Sequence, residues 1–174
     1  MMNWREFHRA APELAALGAR LFERSGVALI GTTRKDGSPR ISPVEPLLAD
    51  GELYLGMMWQ SLKARDLLRD PRCTIHSSVS DRTAADGEFK LHGRALDIQH
   101  PEQRHRYTEL LYEKIGWKPE EPTFHLFAVD VQSAGFFTTQ ADTRIMKRWK
   151  TDEGIEEFRQ DVGGQWVRQP PTMR

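Results

Sequence analysis

The chain has 174 residues, enough for one domain with a substantial core. Lys plus Arg and Asp plus Glu number 25 each, so the net charge is zero, which leaves no electrostatic case for nucleic acid or an anionic membrane and little charge repulsion against self-association. The single cysteine, Cys73, excludes an intrachain disulfide and a cysteine metal cluster, and no apolar run approaches the about 20 residues that span a bilayer. The polar, amphipathic N-terminus lacks the apolar region of a signal peptide, so a cytoplasmic location is expected.

Trp4, Phe7, Ala11, Leu14, Leu17 and Leu21 recur at three and four, predicting one packing helix over 4–24 that Ser25-Gly26 ends. Val27 to Thr33 is a β-branched strand, and Lys35-Asp36-Gly37-Ser38 a hairpin turn. Arg40 to Leu48 is the return strand, where Pro43 and Pro46 predict an edge or bulged position. Asp50-Gly51 turns into a strand at Leu53, Tyr54 and Leu55, completing a three-stranded meander, and Gly56 permits close backbone approach. Ser61 then caps a helix with Leu62, Leu67 and Leu68 on its apolar face, and Asp70-Pro71 stops it.

Cys73 to Val79 is a fourth strand, with Cys73 an inert small hydrophobe, and Ser80 to Gly87 a polar loop, mobile by composition. Glu88 to Ile98 is a fifth strand, where Phe89, Leu91, Ala95 and Leu96 compete for the inner face around Gly93. Pro101 opens a helix to about Ile115, with Leu110, Leu111 and Ile115 facing the core and Gly116 ending it. After the stiff Pro119-Glu120-Glu121-Pro122 connector come strands at Phe124 to Val131 and Ala134 to Thr139. The tail after Gln140 is mixed, with Arg144, Lys147, Arg148 and Lys150 around Trp149, and its Pro-rich end after Gly163-Gly164 is expected to be poorly ordered. The prediction is a mainly β single domain: a helix over 1–26, an antiparallel six- to seven-stranded barrel over 27–139 with peripheral helices, and a tail over 140–174.

The stretch from Leu53 to Arg72 carries the chemistry. A strand runs into a helix N-terminus with Lys63 and Arg65 in its first turn, where free N–H groups, the helix dipole and two cations would hold a phosphate. A solvated face made of Lys63, Arg65, Arg69 and Arg72 explains the same residues equally well. Met57-Met58-Trp59 reads as core or as a flat, polarizable wall for a ring. His76, His92 and His125 fall on strands; His100 and His105 are five apart, which is not zinc spacing on a helix. No paired carboxylates and no nucleophile motif appear.

The order of elements resembles the FMN-binding split-barrel family, which includes pyridoxamine 5′-phosphate oxidase and deazaflavin-dependent reductases. The resemblance runs from about Val27 to Thr139 and rests on several pieces in order. These are Lys35-Asp36-Gly37, Arg40-Ile41-Ser42-Pro43-Val44, Asp50-Gly51, Ser61-x-Lys63-x-Arg65 with Arg69-Asp70-Pro71-Arg72, and Gly87-Glu88-Phe89-Lys90 to Gly93-Arg94-Ala95. It implies a split β-barrel, a homodimer with two interfacial cofactor sites, and FMN as cofactor. Deazaflavin and haem are the alternatives. It further implies that Arg40 reaches the flavin phosphate or ribityl chain, that the backbone of Ser42, Pro43 and Val44 lines the isoalloxazine edge, and that Met57 and Met58 lie beside the ring. Ser61, Lys63 and Arg65 would hold the phosphate, Arg65 replacing the charge lost where Leu62 stands for the oxidase's arginine. Trp149 belongs to the tail, from which partner-chain contacts come, and is expected to be a further cofactor contact. The oxidase's substrate-phosphate residues have no clear counterpart, which argues against a true pyridoxamine phosphate oxidase. The chain without catalytic side chains still suits flavin chemistry, which resides in the cofactor. Two functions are expected from it: an oxidoreductase acting on a small organic substrate, or a non-catalytic flavin or haem binder for storage, sensing or stress protection.

Overall fold

The computed structural model describes residues 1–79, 82, 85–140 and 143–170. The stripe predicted as one helix folds as two, α1 (Trp4–Ala10) and α2 (Pro12–Ser25). Pro12 is the reason: without an N–H, and with a ring that clashes with the preceding turn, it starts a helix instead of continuing one. Trp4, Phe7, Leu14, Leu21 and Phe22 nevertheless stay on one buried side. Asn3 and Glu6 form a capping box ahead of α1, and Gly26 closes α2 at φ 67° as expected.

The strands are β1 (Ala28–Thr33), β2 (Pro39–Val44), β3 (Pro46–Ala49), β4 (Glu52–Met58), β5 (Arg72–Ser77), β6 (Glu88–Asp97), β7 (Phe124–Gln140), β8 (Thr143–Lys150), β9 (Gly154–Gln160) and β10 (Trp166–Arg168). Helix α3 (Leu62–Arg69) follows β4 and α4 (Pro101–Ile115) follows β6. The predicted return strand is cut at Glu45 and its halves take different partners: Pro43 of β2 stands opposite Leu29 of β1, and Pro46 of β3 opposite Leu55 of β4. The expected meander is therefore two separate hairpins. Proline cannot donate to a central ladder, so Pro43 lies on a terminal strand and Pro46 begins one.

The sixth and seventh predicted strands are one strand, β7, of 17 residues. Gln132 is the extra residue of a bulge opposite His92/Gly93, so the apolar pattern slips there while the strand continues. Gly93 is required: a Cβ on it would lie 2.2 Å from the Asp130 carbonyl oxygen. The first part of β7 pairs with β4 and the second with β8, while β6 runs along both. The sheet path is β10-β9-β8-β7-β6-β5-β1-β2, with β4 and β3 branching from β7. The fold is an antiparallel split barrel with peripheral helices, and its sheet does not close. Ile30, Leu55, Ile75, Leu91, Phe127 and Val129 fill the interior, and Cys73 is buried beside them.

The tail, read as mixed with a poorly ordered end after Gly163-Gly164, is instead mostly strand. It adds β8, β9 and β10, so the described residues form ten strands where six or seven were expected. Trp149 is the reason, with 2% exposure and its ring 4.9 Å from that of Phe7. Only 171–174 of the Pro-rich end, and 80, 81, 83 and 84 of the Ser80 to Gly87 loop, lie outside the described residues. Leu62 and Leu68 of α3 and Ile115 of α4 were expected in the core and are exposed. Helix α3 instead buries Ala64, Asp66 and Leu67, and α4 buries Arg104, Tyr107, Thr108 and Leu111. No helix of the described residues is long and apolar enough to cross a membrane.

The packing of α2 on β6 gives a direct test. Gly18→Ala favours the helix by about 1 kcal/mol on propensity alone. Its Cβ would lie 2.7 Å from the Phe89 ring, which is fully buried between Phe22 and Trp4 and has no room to retreat. Urea unfolding should show a net loss of about 1–3 kcal/mol. A variant at least as stable as the wild type refutes this packing.

Candidate functional site

The junction of β4 and α3 builds the site. After Met58 the chain turns through Trp59 and Gln60, and Gln60 takes φ 57°, a left-handed conformation that a residue with a side chain adopts only when held. Two hydrogen bonds hold it: Ser61 N–H to the Met58 carbonyl at 3.1 Å, and Gln60 N–H to His125 Nε2 at 3.2 Å. Accepting at Nε2 assigns the His125 proton to Nδ1. Burial, together with nearby Arg104 and against the pull of Asp97, holds the imidazole pKa below its ordinary value and keeps it neutral. Trp59 lies flat on the same ring, 4.6 Å away and 11° from parallel. The turn thus presents Met58, 78% exposed, and Trp59 to the outside.

Ser61 stands at the N-cap of α3 as expected, but its hydroxyl caps nothing. Its Oγ is buried with no hydrogen-bond partner. The first turn of α3 carries no acid, and Lys63 and Arg65 are its cations. Lys63 Nζ donates to the Pro43 carbonyl at 2.7 Å, tying α3 to β2. Burial lowers the Lys63 pKa, with Glu45 opposing. Arg65 is exposed, and its side chain has no partner among the described residues.

Asp66 sits one turn further on, 4% exposed. It accepts from Arg40 Nε at 2.7 Å, Thr32 Oγ1 at 3.0 Å and an Arg69 guanidinium nitrogen at 3.2 Å. Burial pushes its pKa up, and these three donors outweigh burial and hold it below the usual carboxylate value. Arg69 also donates to the Thr33 carbonyl. One carboxylate therefore joins α3, β1 and β2, and the Arg40 head, read from the sequence as a flavin contact, is held within this chain.

Beside the junction, between β4, α4 and the segment after Gly116, lies a cavity of about 880 Å³. Of the sequence-predicted residues, Pro43, Val44, Met57, Met58 and Lys63 line it. Ser61 and Arg65 belong to the α3 N-terminus and Arg40 to the Asp66 cluster. Ser42 lies on β2, on the side shared with Arg40 and Val44. Trp149 stands apart, in the core under Phe7. Sequence reasoning missed Asp66, Tyr107 and Trp117, and it placed His125 on a strand without giving it a role. Only Asp66 left a local trace, its i,i+3 spacing to Arg69. Tyr107 was announced indirectly by Gly56, because a Cβ there would lie 2.0 Å from the Tyr107 hydroxyl.

A family model described as pyridoxamine 5′-phosphate oxidase matches residues 17–137, more than half of the chain. The chain belongs to this family. No curated protein matches it in sequence. Among solved structures it is similar to the conserved hypothetical protein Rv2991 from Mycobacterium tuberculosis, with TM-score 0.57 and 22% identity over 68% of this chain and 81% of that one. The General Stress Protein 26 from Bacillus anthracis is similar at TM-score 0.54 and 16% identity, over 70% of this chain and 91% of that one. A haem binding protein from Mycobacterium smegmatis is similar at TM-score 0.60 and 21% identity, over 78% of this chain but 57% of its own. At these identities the likeness shows the fold alone. Members of the family typically bind flavin, and structures of this fold include a haem binder.

The Asp66 cluster yields a stability test with a defined pH dependence. Asp66→Ala leaves Arg40 largely buried without its partner and should cost about 3–5 kcal/mol in urea unfolding at pH 7. The folded-state pKa of Asp66 is depressed, so its contribution is fully present above the ordinary Asp value of about 3.9 and is lost as the pH falls through the lower folded value. The gap between wild type and variant should therefore narrow only below that ordinary value. A gap already closed at pH 5 contradicts the assignment.

Proposed function

We propose that this chain is a flavin-dependent oxidoreductase that binds FMN at the β4–α3 junction and acts on a small organic substrate in the adjoining cavity. The observation that carries this is Ser61 Oγ: a buried hydroxyl with no partner, at the N-cap of a helix whose first turn holds two cations and no acid. An unsatisfied buried hydroxyl costs about 1–3 kcal/mol. Leu62, Lys63 and Ala64 precede the first intrahelical bond, from Arg65 N–H to the Ser61 carbonyl, so their N–H groups are orphan donors. A phosphate would accept from them and from Ser61, and would offset the conflict between Lys63, Arg65 and the helix dipole. Arg40 acts through Asp66, holding β2 against α3. Pro43, Val44, Met57, Met58 and Trp59 supply flat apolar walls for the ring.

FMN, when bound, supplies hydride chemistry; the chain binds and orients it and excludes water. A deazaflavin would use the same walls. Exposed Leu29, Ile41, Met58, Leu62 and Leu68 support a homodimer as the working unit. Light scattering should give two chains per particle at micromolar concentration, and a monomer there removes the dimer from this reading.

The second reading, a non-catalytic flavin or haem binder, draws on the likeness to the haem binding protein. His76, His92 and His125 each already have a hydrogen-bond partner, which weakens the haem form of it. The absorption spectrum of the reconstituted protein separates flavin from haem.

Arg65→Ala is the cleanest probe, because Lys63→Ala also breaks the bond to Pro43. Charge-assisted contacts to an anion contribute about 1.5–3 kcal/mol, so FMN affinity measured by calorimetry should fall roughly ten- to hundred-fold. Riboflavin, which has no phosphate, should bind weakly to both proteins and equally. An equal loss for FMN and riboflavin removes the phosphate role of Arg65, and wild-type protein that binds neither FMN nor a deazaflavin removes the flavin reading.

A further inference from the structure

Tyr107 is a polar group that nothing above explains. It sits on the face of α4 that packs against β4 and β7, 4% exposed, with its ring against Tyr54 at 5.7 Å and Phe124 at 5.8 Å. Its hydroxyl reaches the backbone at Gly56, the one β4 residue on that face with no side chain to block it, and it lines the cavity. No residue among those described accepts from it or donates to it. The other hydroxyl of the lining, Thr123 Oγ1, is spent on the Glu120 carbonyl at 2.7 Å. Burial, reinforced by nearby Glu45, pushes the phenol pKa up to about 12, so the group remains a donor throughout the neutral range.

The remaining lining selects by shape and charge. Its charged residues are Lys63 and Lys118 against Glu45 and Glu120, two of each sign, and Lys63 is already engaged with Pro43. The formal charges of the lining therefore cancel, and neither an anion nor a cation is favoured by their sum. Leu111, Ile115 and the flat ring of Trp117 line the same cavity.

We propose that the Tyr107 hydroxyl is the specificity contact of this cavity, and that the cavity takes an uncharged, flat, largely apolar molecule whose single acceptor oxygen receives the Tyr107 hydrogen bond. This deepens the flavin reading by naming its substrate class, and rests on that reading only for the presence of the flavin nearby. The site discriminates because a bound molecule shuts water away from the hydroxyl, and an analogue that lacks the oxygen then leaves this donor unpaired.

The test compares three naphthalene probes by equilibrium dialysis, with the FMN-loaded protein and again with the flavin-free protein. They are 2-acetonaphthone, 2-ethylnaphthalene, which has the shape without the oxygen, and the charged 2-naphthoate. The wild type should bind the ketone about ten-fold tighter than the hydrocarbon, the effect of one hydrogen bond that the bound probe closes off from water, and tighter than the carboxylate. Tyr107→Phe should erase the ketone's advantage while leaving hydrocarbon and FMN affinities within about two-fold. Its melting temperature should not fall, because the deleted hydroxyl has no protein partner. A ketone preference that survives Tyr107→Phe, tightest binding of 2-naphthoate, or no binding of any probe overturns the proposal. Should FMN fail to bind the wild type, the flavin reading falls alone, and the probe ratios in flavin-free protein still decide the role of Tyr107.

Discussion

A single buried carboxylate governs where the site can be. Asp66 takes hydrogen bonds from β1 through Thr32, from β2 through Arg40 and from its own helix through Arg69. A lone buried charge of this kind is costly, and it persists because every donor is in place. The consequence is mechanical. Strand β2 ends the sheet path, with proline opposite Leu29, and needs a hold beyond its ladder to β1. Asp66 provides one, and the bond from Lys63 to the Pro43 carbonyl provides a second. The N-terminus of α3 is thereby set beside the terminal strand β2, with Lys63 tied to that strand and Arg65 outward.

The second constraint is the length of β7. Because it runs unbroken past its bulge, it belongs to both lobes: Phe124, Leu126 and Ala128 pack under α4, and Phe127, Val129 and Val131 fill the barrel. His125 lies between, opposite Met57 of β4, where it accepts from Gln60 and stacks on Trp59. The strained turn before α3 is therefore held by a strand far away in sequence. Arg104 does a similar task for the other wall. It pairs with Glu121 at 2.9 Å and donates to the Phe124 carbonyl at 3.0 Å, anchoring the connector on the cavity side of α4.

These holds set the walls of the cavity, which the Tyr107 hydroxyl lines, and at the helix start they leave Ser61 Oγ buried without a hydrogen-bond partner. Elsewhere in the described residues the pattern is the reverse. Cys73 is buried with its thiol pushed up to about 12, chemically quiet, and Trp149 closes the core over Phe7. A buried polar group left without a partner is expensive, so Ser61 Oγ is a physical mark of where a ligand would act.

Elements governed by local rules were legible in the sequence. The Asp36-Gly37 and Asp50-Gly51 turns, the start of α4 at Pro101 and its stop at Gly116, and α3 between Ser61 and Asp70 depend on the dihedral preferences of a few adjacent residues. The edge position of Pro43 and the close approach at Gly56 were legible for the same reason, a missing N–H and a missing Cβ. What tertiary structure alone decided depends on residues far apart in the chain. The two halves of the return strand chose different partners, and β7 ran through its bulge because β6 continued beside it. Arg40 turned inward because Asp66 needed a donor, and Trp149 left the expected tail for the core because Phe7 stood open to it. Periodicity records which side of an element is apolar; which distant group that side meets is set only when the barrel folds.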